Sequence, residues 1–260
     1  MGYGSVYLMY IDPTLNKEVF GWRSPNLGLE MPIVRYGHYG HALLLFPTAQ
    51  SDLYDAERFY LIKAIEHHLL NGRVNVFAIN TINDLSWMNR DIGPKEKARR
   101  QALYAKYVEE EVVPHIRRVL GDENARIGVT GASFGGYHAA NSFFRRPDLF
   151  DTLIAMSGFY ELWPSWLHGY SDDNVYFNNP MAYVRNIHDA RTRDLIRHSQ
   201  IHILTGQGQW EHPQQSKDFS SVLWDSKIWN NLDLWGHDTP HDWPTWRKML
   251  NYYLSERLGW

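Results

Sequence analysis

Gly131-Ala132-Ser133-Phe134-Gly135 has the spacing G-x-S-x-G and is the only such segment in the chain. An apolar run, Arg126–Thr130, precedes it, and a helical pattern, Phe134–Arg145, follows it. A strand that reverses into a helix within so few residues forces its serine into a strained backbone conformation. Glycines two residues to either side remove the Cβ atoms that would collide in that turn. The hydroxyl of Ser133 then stands above the end of the sheet. Beside it, the backbone N–H of Phe134 lies at a helix N-terminus, where negative charge is favoured and an oxyanion can be held. This is the arrangement of a serine nucleophile. The plainer alternative is a Gly-rich turn in which Ser133 merely caps the helix.

A serine hydroxyl needs a general base, and in a strand–turn–helix setting the acid and then the histidine follow the serine in the chain. Position must choose among the 13 histidines. The loop after the last expected strand, Leu232–Trp235, contains His237 and His241. His237 follows the strand almost at once and leaves little chain to reach Ser133, so His241 is taken as the base and His237 as a loop-ordering residue. The acid belongs just past the strand Ile201–Thr205. There Glu211 is the only carboxylate in Gly206-Gln207-Gly208-Gln209-Trp210-Glu211-His212-Pro213, with room before His241 for one helix and one strand. Asp238 and Asp242 are rivals, too near His241 in sequence to orient its ring easily. A second oxyanion donor is expected from the turn after Ala42–Phe46. Pro47 has no N–H, so Thr48 or Ala49 must supply it, and Thr48 is preferred.

Two other chemistries are weighed on the same residues. His237-Asp238-Thr239-Pro240-His241 resembles the zinc motif H-E-x-x-H with Asp for Glu. That motif needs both histidines on one helical face, and Pro240 would break such a helix, so no metal is expected. Gly206-Gln207-Gly208 lacks the third glycine of a dinucleotide fingerprint, and no cofactor is implied.

Positioning these groups calls for a sheet flanked by helices. Short apolar runs at Ala42–Phe46, Val74–Ile79, Arg126–Thr130, Thr152–Met156, Ile201–Thr205 and Leu232–Trp235 alternate with helical patterns at Ala56–Leu70, Pro94–Leu120, Phe134–Arg145 and Trp246–Leu258. Alternation of this kind predicts an α/β fold with a mostly parallel sheet and helices on both faces. Val6–Ile11 and Lys17–Trp22 read as an antiparallel hairpin that Ile33–Tyr36 extends. Phe59, Ile62, Ile65 and Leu69 mark one face of a single helix, and Pro114 a kink in the long one. Residues 159–199 fit neither period and are expected to form a cap-like insertion after the sixth strand, with one or two short helices, over the strand ends where such sheets bind ligands. No linker or composition shift divides the chain, so one domain over 1–260 is expected.

Composition narrows the classes. Lys and Arg number 26 against 29 Asp and Glu, a net charge of −3, which is not the basic footprint of a nucleic-acid binder. There is no cysteine, so disulfides and thiol chemistry are excluded. No apolar stretch approaches the roughly 18 residues of a membrane span, and Met1–Tyr10 does not read as a secretory signal. A cytoplasmic protein with a small-molecule substrate, no nucleic acid and no membrane partner is the expectation; nothing in the sequence fixes an oligomeric state. Aromatic residues make up 15% of the chain, most of them assigned to the core. Trp163, Trp166 and Trp210 are the candidates for contact with substrate.

Four segments together resemble the esterase family of α/β-hydrolases that includes S-formylglutathione hydrolase and feruloyl-type esterases. They are Leu45-Phe46-Pro47-Thr48, Gly131 to Gly136, Leu204 to Gly208 with Glu211, and Leu234 to Trp246 with its His241-Asp242-Trp243-Pro244 run. Their order and spacing cover nearly the whole chain, and the last block is similar to the histidine block of a bacterial subgroup, which supports His241. The oxyanion turn and the glutamate depart from the S-formylglutathione hydrolase pattern, so that activity is not carried over. The secreted feruloyl and mycolyl relatives usually have leaders or disulfides. The resemblance implies carboxylic-ester chemistry and no particular substrate; the three ordered motifs predict that it runs through an acyl-serine intermediate. Acyl transfer by the same three residues, or a non-catalytic binding role on the same fold, are the alternatives.

Overall fold

The structure is a computed structural model that describes residues 10–258 and 260. Its elements run β1 (Lys17–Arg23), β2 (Glu30–Tyr36), β3 (His41–Phe46), α1 (Asp55–Arg58), α2 (Leu61–Ala64), α3 (Glu66–Leu70), β4 (Val74–Ile79), α4 (Pro94–Tyr107), α5 (Val113–Leu120), β5 (Ile127–Ala132) and α6 (Phe134–Arg145). They continue through β6 (Phe150–Met156), α7 (Pro164–Leu167), α8 (Asp173–Tyr176), α9 (Pro180–Tyr183), α10 (Ala190–Arg197), β7 (Gln200–Thr205), α11 (Pro213–Asp225), β8 (Asn231–Leu234) and α12 (Trp243–Tyr252).

The eight strands form one sheet in the order β1-β2-β4-β3-β5-β6-β7-β8. β1 pairs antiparallel with β2 and β2 with β4, and every other pair is parallel. The central strands β4 and β5 are buried along their whole length, as a parallel sheet covered on both faces requires. One face packs Leu44, Phe77, Val129 and Leu153 against Tyr107, Val112, Phe143 and Phe219 of the α4–α5, α6 and α11 layer. The other packs Leu43, Val76 and Ile154 against Ile62, Ile65, Met249 and Leu250 of α2, α12 and their neighbours. The expected mostly parallel sheet with antiparallel N-terminal strands is therefore present. Among the described residues no helix is long and apolar enough to cross a membrane.

Several local expectations are corrected. Most of the predicted strand Val6–Ile11 lies outside the described residues, Tyr10 and Ile11 are not in a strand, and the hairpin partner of β1 is β2. The single helix over Ala56–Leu70 is three short ones, because Tyr60 adopts φ 63° and resets the chain. Phe59 leaves the buried face and stacks on Trp243, ring centroids 4.9 Å apart, while Ile62, Ile65 and Leu69 stay in the core. The long helix does break, but ahead of Pro114: it widens into a π turn over Val108–Val112, next to the residue that has no N–H to donate. The closing helix starts three residues early, at Trp243, where the side chain of Asp242 accepts the Trp243 N–H. Residues 159–199 hold four short α-helices rather than one or two. Pro164 and Pro180 open two of them, and the carboxylates of Asp172 and Asp189 cap the other two.

Candidate active site

Ser133 closes the turn between β5 and α6 with φ 56° and ψ −118°, the strained conformation its sequence context predicts. Its N–H is held by the carbonyl of Met156 at 2.9 Å. The flanking glycines are required by contact. A Cβ on Gly131 would lie 2.5 Å from the carbonyl carbon of Gly135, and one on Gly135 would lie 2.5 Å from the Phe46 oxygen and 2.9 Å from that of Pro47. The turn after β3 thus rests directly on the first turn of α6. Gly135→Ala must push that backbone away, and a denaturant midpoint is expected to show about 1–3 kcal/mol lost at unchanged m-value. An unchanged midpoint would mean that the close approach is not tightly packed.

His241 and Glu211 meet as the sequence predicts: Nδ1 of His241 lies 3.2 Å from Oε2 of Glu211. The loops that carry them are zipped together by backbone hydrogen bonds from Gln207 to Gly236, from Gly208 to Thr239 and from His241 to the Gln209 carbonyl. Glu211 has a side chain 1% exposed, and its oxygens are satisfied. Oε1 accepts from Ser157 Oγ at 2.6 Å and from the Gly206 N–H at 3.2 Å, while Oε2 accepts from Thr205 Oγ1 at 3.3 Å. Burial alone would raise its pKa. The hydrogen bonds from His241 and Ser157 outweigh burial and hold the carboxyl below its ordinary range, hence ionised. The rival acids are elsewhere: Asp242 caps α12 and Asp238 is exposed, as is His237. Neither His237 nor His241 lies on a helix. Among the described residues no group of three or more His, Asp and Glu is placed to hold a metal ion.

Ser133 and His241 line one cleft of about 200 Å³, together with Ser157, Gly158, Phe159, Trp163, Trp210, His212 and Gln215. Trp163 and Trp210 are 41% and 75% exposed at its rim. Trp166, expected beside them, is not among the residues lining this cleft. It stacks on Phe134 at 5.6 Å and on Trp87 at 6.2 Å, and so braces the layer beneath. Thr48 lines a different, small cavity with Pro47 and Trp243. Among the described residues the N–H groups of Phe134 and Thr48 have no protein acceptor.

Sequence reasoning missed Ser157. It follows β6 with φ 49°, accepts a hydrogen bond from Trp246 Nε1 at 3.1 Å and donates to Glu211. The Trp246 ring also meets the His241 ring edge to face at 5.0 Å, so one tryptophan braces His241 directly and Glu211 through Ser157. No spacing rule links positions 157, 211 and 246. The only trace in the sequence is a serine just past the end of a buried strand.

The sheet order, the Ser133 turn and the carboxylate–imidazole pair define an α/β-hydrolase. The model of a family described as "Putative esterase" matches residues 79–257. The chain belongs to this esterase family and is a carboxylic ester hydrolase. Among solved structures, a ferulic acid esterase superposes with a TM-score of 0.69 at 19% identity, covering 92% of this chain and 96% of its own. An S-formylglutathione hydrolase from Agrobacterium tumefaciens gives 0.69 at 15% identity, with 93% and 96% covered. A fluorophosphonate-binding serine hydrolase from Staphylococcus aureus gives 0.69 at 15%, with 93% and 97% covered. These identities speak for a shared fold. No curated protein sequence matches the chain.

Proposed function

We propose that the chain hydrolyses carboxylic esters through an acyl-serine intermediate, with Ser133 as nucleophile, His241 as general base and Glu211 as the acid that orients it. The observation that carries this is the Glu211–His241 contact at 3.2 Å on a ring that shares a cleft with Ser133. In this scheme His241 Nε2 takes the Ser133 proton as Oγ bonds to the ester carbonyl carbon. The carbonyl oxygen becomes an oxyanion that the N–H groups of Phe134 and Thr48 receive. Collapse breaks the bond to the alcohol oxygen, which leaves with the proton from His241. Water then adds to the acyl-Ser133 ester, giving His241 its proton. The acid departs, the Ser133–acyl bond breaks and the proton returns to Oγ. Glu211 stays ionised throughout, holding the Nδ1–H tautomer and stabilising the transient imidazolium.

Hydrolysis is favoured over transfer because the His241 side chain is 23% exposed, open to water. Residues 159–199 are read as a cap-like insertion in a single domain over 1–260, with Trp163 and Trp210 meeting the substrate. A fluorophosphonate probe tests the nucleophile. Intact-mass and peptide analysis should place one adduct on Ser133 with loss of p-nitrophenyl ester hydrolysis. Full hydrolysis with no adduct at that residue would refute the assignment.

A further inference from the structure

Behind the proposed oxyanion hole lies a buried chain of three polar side chains that no catalytic step above uses. His138, 2% exposed, sits one helical turn beyond Phe134 on α6, stacks against Phe46 and meets the Phe134 ring at a tilt. Its Nε2 lies 2.8 Å from Asn83 Oδ1, its Nδ1 3.5 Å from Gln101 Nε2, and Asn83 Nδ2 lies 2.9 Å from the carbonyl oxygen of Ala49. Asn83 and Gln101 are 0% and 1% exposed. Three unrelated elements, the helix that begins at Phe134, the loop after β4 and α4, thus converge on the turn that holds Thr48 and Ala49.

One acceptor sets the direction of the whole chain. The Ala49 carbonyl can only accept, so Asn83 must turn its amide NH₂ toward it and its Oδ1 toward His138. Oδ1 in turn requires a proton on His138 Nε2. Nδ1 is then an acceptor, and it faces the Gln101 amide donor. A second ring proton would point at that donor, and burial already pushes the imidazole pKa down to about 3. The ring is therefore held neutral and in one tautomer. Further along the same loop, Asn80 Oδ1 accepts the Leu53 N–H at 3.0 Å.

We propose that Gln101, His138 and Asn83 are positioning residues that fix the Thr48–Ala49 turn against the start of α6, so that the two oxyanion donors keep one spacing. This rests on the assignment of Phe134 and Thr48 above. Fixed donors stabilise charge that exists only in the transition state, so their displacement lowers kcat and leaves KM nearly unchanged.

The test measures p-nitrophenyl acetate kinetics, inhibition by phenylboronic acid and thermal midpoints for the full-length His138→Leu, His138→Gln, Asn83→Ser and Ser133→Ala variants. His138→Leu and Asn83→Ser are expected to lose about 10- to 100-fold in kcat, less than the about 10²- to 10³-fold of a deleted donor. KM should stay within about twofold. Phenylboronate, which places a tetrahedral oxygen in the hole, should weaken in step with kcat, a response that a merely structural role would not produce. His138→Gln presents an amide N–H in place of Nε2–H and should recover most of the loss. A folded His138→Leu with wild-type kcat and boronate affinity overturns the proposal, as does a loss confined to KM. Where His138→Leu does not fold, Asn83→Ser decides in its place through the same kcat and boronate measurements. Hydrolysis retained by Ser133→Ala would instead sink the active-site assignment itself. An inactive Ser133→Ala beside an unimpaired His138→Leu sinks only the positioning chain.

Discussion

Ser133→Ala should lower kcat for p-nitrophenyl acetate by about 10⁵- to 10⁶-fold while the protein remains folded. The backbone of residue 133 is strained at φ 56°, but alanine keeps the same Cβ, so the substitution neither adds nor relieves that strain. Ser133 is only half-buried, and its N–H bond to Met156 is untouched, so the thermal midpoint should move by no more than about 2–4 °C. On the proposed acyl-serine scheme, what disappears is covalent catalysis. The Phe134 and Thr48 N–H groups would still polarise a bound carbonyl, which leaves a residual rate about 10³–10⁴ above water. His241→Ala should fall nearly as far, and the double variant little further, because a nucleophile without a base and a base without a nucleophile are equally idle. Multiplicative losses in the double variant would show that the two residues act independently. A single variant retaining a tenth of wild-type kcat would end the acyl-serine scheme.

How much of this is legible in the sequence depends on whether a feature is local. The Ser133 turn is legible because the collision it avoids lies within five residues, Gly131 against Gly135. The meeting of His241 and Glu211 is legible because each stands in the loop past its own strand, His241 after the last strand and Glu211 as the one carboxylate in its loop, and those loops lie side by side at the strand ends. Elements whose boundaries depend on partners are less so. Tyr60 takes a left-handed conformation and Phe59 swings out to stack on Trp243, a contact across 184 positions that periodicity cannot carry. Trp166 shows the same limit, since an aromatic near a cleft and an aromatic bracing its floor look alike in sequence. Ser157 and the Asn83–His138 pair are invisible there because nothing in their spacing distinguishes a buried donor from an ordinary polar residue; only the fold shows what they face.

Glu211→Gln is the second large effect, and the hydrogen bonds around the carboxylate dictate its mechanism. Ser157 Oγ–H and the Gly206 N–H both donate to Oε1. A glutamine carbonyl must therefore take the Oε1 place, because an NH₂ there would face two donors. That puts the amide NH₂ at the Oε2 position, against His241 Nδ1, with Thr205 Oγ1–H free to turn to the Gly206 carbonyl it already approaches at 3.0 Å. His241 Nδ1 must then accept, which moves its proton to Nε2, the atom meant to take the Ser133 proton. The ring is left in the wrong tautomer, and kcat should fall by about 10³- to 10⁴-fold with KM little changed. Glu211→Asp keeps the charge but is one methylene shorter. It cannot hold both Ser157 and His241, so it should lose less than Glu211→Gln yet remain well below wild type. The pH dependence of stability separates charge from shape. The folded Glu211 carboxyl ionises below its unfolded value of 4.5, so its contribution is fully present above that pH and is lost as pH falls through the lower folded value. The gap in unfolding free energy between wild type and Glu211→Gln should therefore be constant from neutral pH down to about 5 and shrink in more acid solution. A gap that stays constant into acid would mean that the carboxylate gains nothing from its ionised form, and the hydrogen bonds from Ser157 and His241 could not then be what holds it charged.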